Sequence, residues 1–206
     1  MTSKLPRLFA DDPPLKPLDS LDAIVDDWIL RFGKNGKNKA MRDEVVEHCA
    51  AAASLQEATM RACMSLRPNG KMHNHQSRVK YRDRMIFRSA IASLFQITRG
   101  RLKNFDELFD CLDSIKPAGI GEVTVYDVAT RIAAYLKLDI TSLYLHAGVR
   151  IGWNKLHGTK SKAITLRVAS VDLPTPLQRI PCDEAEDMLC AYRDYLQPWY
   201  KWRVTK

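Results

Sequence analysis

Residues 105–136 read FDELFDCLDSIKPAGIGEVTVYDVATRIAAYL, and this stretch decides the fold. Its apolar residues recur every three or four positions on both sides of a Gly-x-Gly turn, which predicts two amphipathic helices. Asn104 is the expected N-cap of the first helix. Gly119 and Gly121 permit the tight reversal, Ile120 is expected to fill the gap between the helices, and the second helix is expected to begin at Glu122. The residues of the second helix expected to face the core are Val123, Val128, Ile132 and Leu136.

The turn directs the first backbone N–H groups of the second helix outward. Such groups, together with the helix dipole, bind phosphate. The sequence therefore predicts a phosphate contact made largely by main-chain atoms, with Lys116, Gly119, Gly121 and Thr124 as the contacting residues. An ordinary helical hairpin with a glycine turn is the alternative interpretation.

The positive charge of the chain is concentrated just before this hairpin. The formal net charge is +8, and residues 67–103 hold ten lysines or arginines against one acid, Asp83, so that this segment alone carries +9. A polyanion is the expected partner of such a segment. Arg78 and Arg82, with Arg150 farther along the chain, are the expected phosphate-binding side chains. A solvated helix face is the alternative.

The composition is unlike that of a membrane-spanning or secreted protein. No apolar run among the 206 residues approaches the length of a membrane span, and residues 1–20 are polar and rich in proline, unlike a signal peptide. We therefore expect a cytoplasmic monomer that contacts no membrane. The five cysteines are odd in number and widely spaced, which favours reduced thiols over disulfides or a zinc site.

The rest of the chain predicts an all-α fold, with an extended arm over residues 1–19 and a single helical domain over residues 20–206. Expected helices cover residues 21–32, 39–64, 77–98 and 141–156, the second with a break at a Ser54–Glu57 capping box. The third helix is expected to place Val79, Met85, Ile86, Ala90, Ile91 and Leu94 on its apolar face. Residues around Val168 could form a short strand or an extended connection. Asp183 is expected to cap a last helix over residues 184–196.

The hairpin, the helices beside it and the segment LHAGVRIGWNKL (145–156) resemble the helix-hairpin-helix DNA glycosylases over roughly residues 77–156. The resemblance implies that the turn holds the DNA backbone, often with a bound monovalent cation. It also implies that a base is flipped out and its N-glycosidic bond is cut. Family members that also cleave the strand carry a lysine where this chain has Val123, so a monofunctional enzyme with water as nucleophile is expected. Here Pro117-Ala118 precedes the turn, where the family usually has Leu-Pro.

Three residues are candidates for the catalytic position. The family places an aspartate at the start of the next helix, and there the local pattern, with Val149 and Arg150 matching, gives His146. Asp139 fits better by its distance from the turn. Asp127 is the third candidate, because Arg131 stands one helical turn after it and could orient its carboxylate toward Tyr144 or His146. A surface ion pair is the simpler interpretation of Asp127 and Arg131.

A polar cluster and two tyrosines are the expected lining of a base pocket. His73, His75 and Gln76 offer hydrogen-bond donors and acceptors suited to a base edge, and Tyr126 and Tyr144 could stack on it. Exposed histidines without a special role are the alternative, and no metal site is predicted. The segments GKMHNHQSRV, TVYD and YLHAG also resemble a group of uncharacterised bacterial proteins.

The sequence therefore predicts a DNA glycosylase that removes a damaged or modified base from double-stranded DNA. Two other functions stay open at this stage. One is a non-catalytic DNA-binding module that uses the same turn and basic helix. The other is a helical protein-interaction domain whose charge serves RNA or an acidic partner.

Overall fold

The structure is a computed structural model that describes residues 18–33, 44–73, 78–98, 101–158 and 167–198. These residues are mostly helical, with one small two-stranded sheet, so the expected α-helical character is confirmed. They fall into two compact units. The first unit contains the described residues up to 33 and those from 141 onward, and the second contains the described residues between 44 and 140. Residues 1–17 of the expected arm lie outside the described part.

The second unit is a cluster of five helices, α2 (Glu44–Ala50), α3 (Leu55–Met64), α4 (Tyr81–Thr98), α5 (Phe105–Ser114) and α6 (Glu122–Leu136). Helix α6 packs against α2, α3 and α5, and α4 packs on α3. The core is built from aliphatic and aromatic side chains on the inner stripes of these helices. Its fully covered members include Val45, Cys49, Ala62, Ile91, Phe105, Leu108, Leu112, Val125, Val128 and Ile132. The central position of α6 fixes the hairpin turn at its N-terminus.

The expected break near Ser54 is confirmed. The Glu57 N–H donates to Ser54 Oγ over 3.2 Å, and the Glu57 carboxylate accepts from the Ala53 N–H over 2.8 Å. This reciprocal capping satisfies N–H groups that a helix start leaves without partners. The chain therefore ends α2 at Ala50 and begins α3 at Leu55. Residues 39–43, where the expected helix would start, are not described.

Helix α4 begins at Tyr81 rather than near residue 77, because residues 78–80 form a turn. Its buried stripe is Phe87, Ile91 and Phe95, with the guanidinium-bearing Arg84 one turn earlier. The expected apolar face included Ile86, and that assignment was wrong, since this side chain is 44% exposed. Because α4 packs on its neighbours through positions 87, 91 and 95, Ile86 lies on the outer face of the helix.

The expected hairpin boundaries are confirmed. Asn104 Oδ1 accepts from the Glu107 N–H over 2.8 Å, which caps α5, and Ile120 is buried between the helices. Val123 was expected in the core and is instead 40% exposed. The buried stripe of α6 passes through Val125, Val128, Ala129 and Ile132, and Val123 falls outside it.

The first unit contains α1 (Leu21–Arg31), β1 (Ser142–Tyr144), α7 (Ala147–His157), β2 (Arg167–Ala169), two short 3-10 turns and α8 (Cys182–Ala191). The expected helix over 141–156 was wrong at its start. Residues 142–144 are a buried strand that pairs antiparallel with β2, so that Leu143 faces Val168. The strand alternative around Val168 is thereby confirmed.

Helix α8 begins at Cys182 and ends at Ala191, earlier at both ends than expected. Pro181 stands at the N-cap position, and Asp183 lies in the first turn, where an acid favours the positive end of the helix dipole. The expectation that Asp183 caps the helix was therefore wrong. After Ala191 the chain turns at the buried Tyr192, whose carbonyl accepts from the Tyr195 and Leu196 N–H groups.

Buried polar groups tie α1 to the segment after α8. Arg31 Nε lies 3.0 Å from Asp27 Oδ2, with both side chains 3% exposed. The Tyr192 hydroxyl donates to the same carboxylate over 2.6 Å. Burial raises the pKa of Tyr192, and its hydrogen bond to Asp27 raises it further, so this phenol stays protonated. The three side chains form one satisfied charged group inside the unit.

Two glycines on α7 let α8 approach closely. A side chain at Gly152 would collide with the carbonyl oxygen of Leu189, and one at Gly148 would lie 2.7 Å from Cys190 Sγ. None of the five cysteines, all within the described residues, forms a disulfide. In the part of the chain that the structure describes, no helix has both the length and the apolar character needed to cross a membrane.

Candidate nucleic-acid interface

The hairpin turn exposes main-chain atoms at the start of α6. Gly119 has φ +92°, and the Ile120 N–H donates to the Pro117 carbonyl over 3.2 Å, which closes the reversal. Gly121 is the N-cap, in extended conformation, and no side chain caps the helix at this residue. The first helical hydrogen bond runs from the Val125 N–H to the Gly121 carbonyl over 3.0 Å. The turn therefore has the geometry that the sequence predicts.

The turn lies beside the first turn of the basic helix α4. A Cβ placed on Gly119 would stand 2.5 Å from Asp83 Oδ2 and 3.1 Å from its Cγ. Asp83 thus packs directly on the Gly119 backbone, and the positive φ of Gly119 favours glycine at this position. Lys80 and Arg82 are exposed next to Asp83 in the chain. The basic segment and the hairpin turn therefore share one region of the second unit.

The other expected DNA-contacting residues have varied surroundings. Arg78 is exposed, and Lys116 forms an ion pair with Asp113 on the preceding helix. Thr124 is only 7% exposed, so little of this residue is accessible to a ligand. Arg150, in the first unit, donates from Nε to the Leu145 carbonyl over 2.9 Å.

The loop before α4 is a short hairpin, not an irregular connection. Leu66 and Met72 form an antiparallel bridge, and the His73 N–H donates to the Ser65 carbonyl over 2.8 Å. The buried Arg84 reaches back from α4 to the Met72 sulfur. His73 is partly buried at the end of this loop. His75 and Gln76 lie outside the described residues.

Asp127 and Arg131 are not a surface pair. Arg131 is 1% exposed, its Nη1 donates to the Ala62 carbonyl over 3.4 Å, and its Nη2 lies 3.9 Å from Asp127 Oδ2. Asp127 is 22% exposed, so its carboxylate is half-buried beside a buried cation. Arg131 connects α6 to the end of α3. The interpretation as a solvated surface ion pair was therefore wrong.

His146 has a carboxylate partner that sequence reasoning missed. It occupies the N-cap position of α7, and its Nε2 lies 3.1 Å from Glu186 Oε1 on α8. Both side chains are 12% exposed. No motif connects these two residues, because the contact depends on how α8 packs against β1 and α7.

The remaining candidates differ in burial. Asp139 is exposed in the loop after α6. Tyr126 is buried and packs edge-on against Phe105, with ring centroids 5.9 Å apart. Tyr144 is 2% exposed on β1, and its hydroxyl accepts from Arg167 Nη1 over 3.1 Å. Both expected base-pocket tyrosines are therefore core residues of their own units.

Two cysteine thiols are protonated at neutral pH. Burial raises the pKa of the Cys63 thiol to about 12 and also raises the pKa of Cys190. A protonated thiol is a poor nucleophile. Within the described ranges, no group of three or more histidine, cysteine or acidic side chains is placed to hold a metal ion.

No protein-family model, curated protein or solved structure matches this chain.

Proposed function

We propose that this protein binds double-stranded DNA through the hairpin turn and the start of α4, and that it excises a damaged or modified base as a monofunctional DNA glycosylase. The contact between Asp83 and Gly119 carries the proposal, because it joins the exposed glycine turn to the most basic segment of the chain. A DNA phosphate would approach the amides at the start of α6, while Lys80 and Arg82 would neutralise neighbouring phosphates.

The composition of the turn fits backbone binding better than base reading. Main-chain N–H groups and lysine or arginine side chains position a duplex without selecting its sequence. Glu122, in the first turn of α6, works against phosphate binding. Asp83, packed on Gly119, is a second acid at the turn. The net charge of +9 over residues 67–103 already includes Asp83, and it outweighs both carboxylates. Binding is therefore expected to be strong at low salt and weak at high salt.

A monovalent cation at the hairpin would need carbonyl oxygens as ligands. The Pro117 and Gly121 carbonyls accept backbone hydrogen bonds from Ile120 and Val125. The carbonyl groups of Ala118, Gly119 and Ile120 are the ones that the turn could offer such an ion. The ion would supply an additional positive charge for a phosphate.

For base excision, we propose that His146 and Glu186 act as a pair. Positive charge develops on the sugar as the N-glycosidic bond breaks, and a carboxylate stabilises it. In this chain the carboxylate would come from α8, because Glu186 lies against the histidine at the start of α7. The pair could also hold the attacking water. Asp127, held beside Arg131, and the exposed Asp139 are the alternative acids.

Replacing Gly121 by serine is expected to separate DNA binding from folding. A Cβ at Gly121 meets nothing within 4 Å, and serine is a good N-cap, so the free energy of unfolding should stay constant or rise by roughly a few tenths of a kcal/mol. The new side chain would stand where a phosphate must approach. We expect affinity for an undamaged duplex to fall by roughly tenfold or more, measured by fluorescence anisotropy at low salt.

Ala118→Ser is the matched control, because it adds a hydroxyl to the same turn without adding a Cβ. It should bind duplex as the unmodified protein does. Unchanged binding by Gly121→Ser would contradict a close backbone approach at the turn.

The enzymatic proposal is tested with a panel of duplexes that carry lesions and natural base modifications. After incubation, heating in alkali converts abasic sites to strand breaks. We expect breaks on at least one duplex, lost in Glu186→Gln and His146→Ala and kept in Asp183→Asn, an exposed acid on the same helix. Loss in Asp127→Asn or Asp139→Asn, with Glu186→Gln active, would move the catalytic role to that aspartate.

A non-catalytic DNA-binding module is the second candidate function. It is favoured by the position of the exposed glycine turn beside the basic start of α4, which can hold a phosphate without any catalytic side chain. Absence of base release from every duplex, with salt-sensitive binding retained, would identify this function.

A further inference from the structure

A cleft of about 340 Å³ opens between the first half of α3 and residues 88–96 of α4. Its size lies within the usual range for small-molecule sites. The lining residues are Leu55, Gln56, Thr59, Arg88, Ala92, Phe95 and Gln96. These residues are distinct from the hairpin turn, so the cleft is a separate feature of the second unit.

The cleft combines an apolar wall with side chains that can hydrogen-bond. Leu55, Ala92 and Phe95 provide the apolar surface, and the Phe95 ring is mostly buried within the unit. Gln56 and Gln96 face the cleft from the two opposing helices. Each carboxamide offers both a donor and an acceptor, as the edge of a nucleobase does. Two such groups across an apolar wall suit a flat ring with polar edges.

Arg88 adds a positive charge to this cleft. Two arginines of the described residues show the usual pairing, Arg31 with Asp27 and Arg61 with Glu57. In the same described ranges, no carboxylate lies within ion-pair distance of Arg88, and the Cys63 thiol is its electrostatic neighbour. That thiol is protonated and brings no negative charge. The guanidinium is therefore available to an anion in the cleft.

We infer that this cleft binds a nucleotide, with the base against Phe95 and between the two glutamine amides and the phosphate on Arg88. The required chemistry is a flat heterocycle joined to a phosphate. A free mononucleotide and an unpaired nucleotide of a DNA strand both supply it. The inference does not rest on the proposed glycosylase activity, since the lining residues contribute nothing to the hairpin turn or to the His146–Glu186 pair.

The test is calorimetric titration of the full chain with the four deoxynucleoside 5′-monophosphates, the matching nucleosides, inorganic phosphate and a single-stranded octanucleotide. We expect at least one monophosphate or the octanucleotide to bind, and its affinity to fall by roughly tenfold or more in Arg88→Gln. The nucleosides should bind more weakly than the monophosphates. Binding of the octanucleotide alone would assign the site to a strand, and binding of a monophosphate would assign it to free nucleotides.

Ala92→Phe fills the cleft from an exposed helix position, and Ser93→Phe places the same ring one residue away, outside the lining. Binding should disappear in Ala92→Phe and persist in Ser93→Phe, with both variants folded by circular dichroism. Nucleotide binding that survives Ala92→Phe, or the absence of binding by every ligand tested, would overturn the inference. Because Gly121→Ser leaves the cleft intact, it should still bind the nucleotide even where it has lost duplex DNA, so the two proposals fail independently.

Discussion

Asp27→Ala is expected to destabilise the protein by about 3–5 kcal/mol, which is a large part of the stability of a typical domain. The substitution leaves the Arg31 guanidinium buried without its counter-ion, since both side chains are 3% exposed. It also removes the acceptor of the Tyr192 hydroxyl, which donates to Asp27 over 2.6 Å. An uncompensated buried charge costs far more than the loss of one hydrogen bond.

Urea denaturation followed by tryptophan fluorescence measures this loss, because Trp28 packs against Tyr192 with ring centroids 6.2 Å apart. Asp26→Ala is the matched control on the same helix. Asp26 is 62% exposed and pairs with Arg179 at the surface, so its removal should change the unfolding midpoint little. Equal effects of the two substitutions would show that the buried group does not stabilise the unit.

The double replacement Asp27→Leu with Arg31→Met is expected to recover much of the stability that Asp27→Ala loses. Apolar side chains of similar volume avoid the cost of burying two charges. The Tyr192 hydroxyl still lacks its acceptor in this variant, so the recovery should be incomplete.

Gly152→Ala is expected to destabilise the protein by about 2 kcal/mol, although alanine is the better helix former. The added methyl group would collide with the Leu189 carbonyl oxygen, which belongs to the backbone of α8. Backbone cannot rotate away as a side chain does, so α7 and α8 would have to separate. Thermal unfolding by circular dichroism measures the change.

Gly148→Ala provides the comparison, because its methyl group would meet Cys190 Sγ at 2.7 Å. That neighbour is a side chain, and we expect Cys190→Ala to relieve the contact in the double variant. No truncation of a side chain should rescue Gly152→Ala. A Gly152→Ala protein as stable as the original would mean that the two helices are not in close contact at this point.

Most of the second unit could be predicted from the sequence, because its helix ends and its turn are determined by residues that are close together in the chain. Asn104, Ser54 and the glycine turn each act within a few residues of themselves, and their caps and reversals form as expected. The exposure of Val123 could not be predicted, because Val123 and Val125 each fit the helical spacing of an apolar face and the sequence does not show which of the two faces the core. In the same way, the sequence does not show which side of α4 faces the core, because that depends on which aromatic side chains the neighbouring helices can pack against.

The first unit was less predictable because its contacts are long-range. The segment SLY forms a strand only because residues 167–169 pair with it. Likewise, the partner of His146 lies on α8, and no spacing rule connects it to Glu186. In the second unit, the burial of Arg131 could not be predicted either, because a charged pair one helical turn apart is equally typical of a solvated helix face.

The contact of Asp83 with Gly119 changes how related sequences should be compared. Glycine at position 119 is favoured by its φ of +92°, and a carboxylate of α4 also occupies the space that a side chain would need. A relative with a smaller residue at position 83 could therefore lose this glycine and keep the same turn, provided that the new residue tolerates φ +92°. At position 121 the space is open, so a glycine kept there across diverged sequences would report a bound partner rather than the fold. The two glycines of one turn thus carry separate evolutionary constraints.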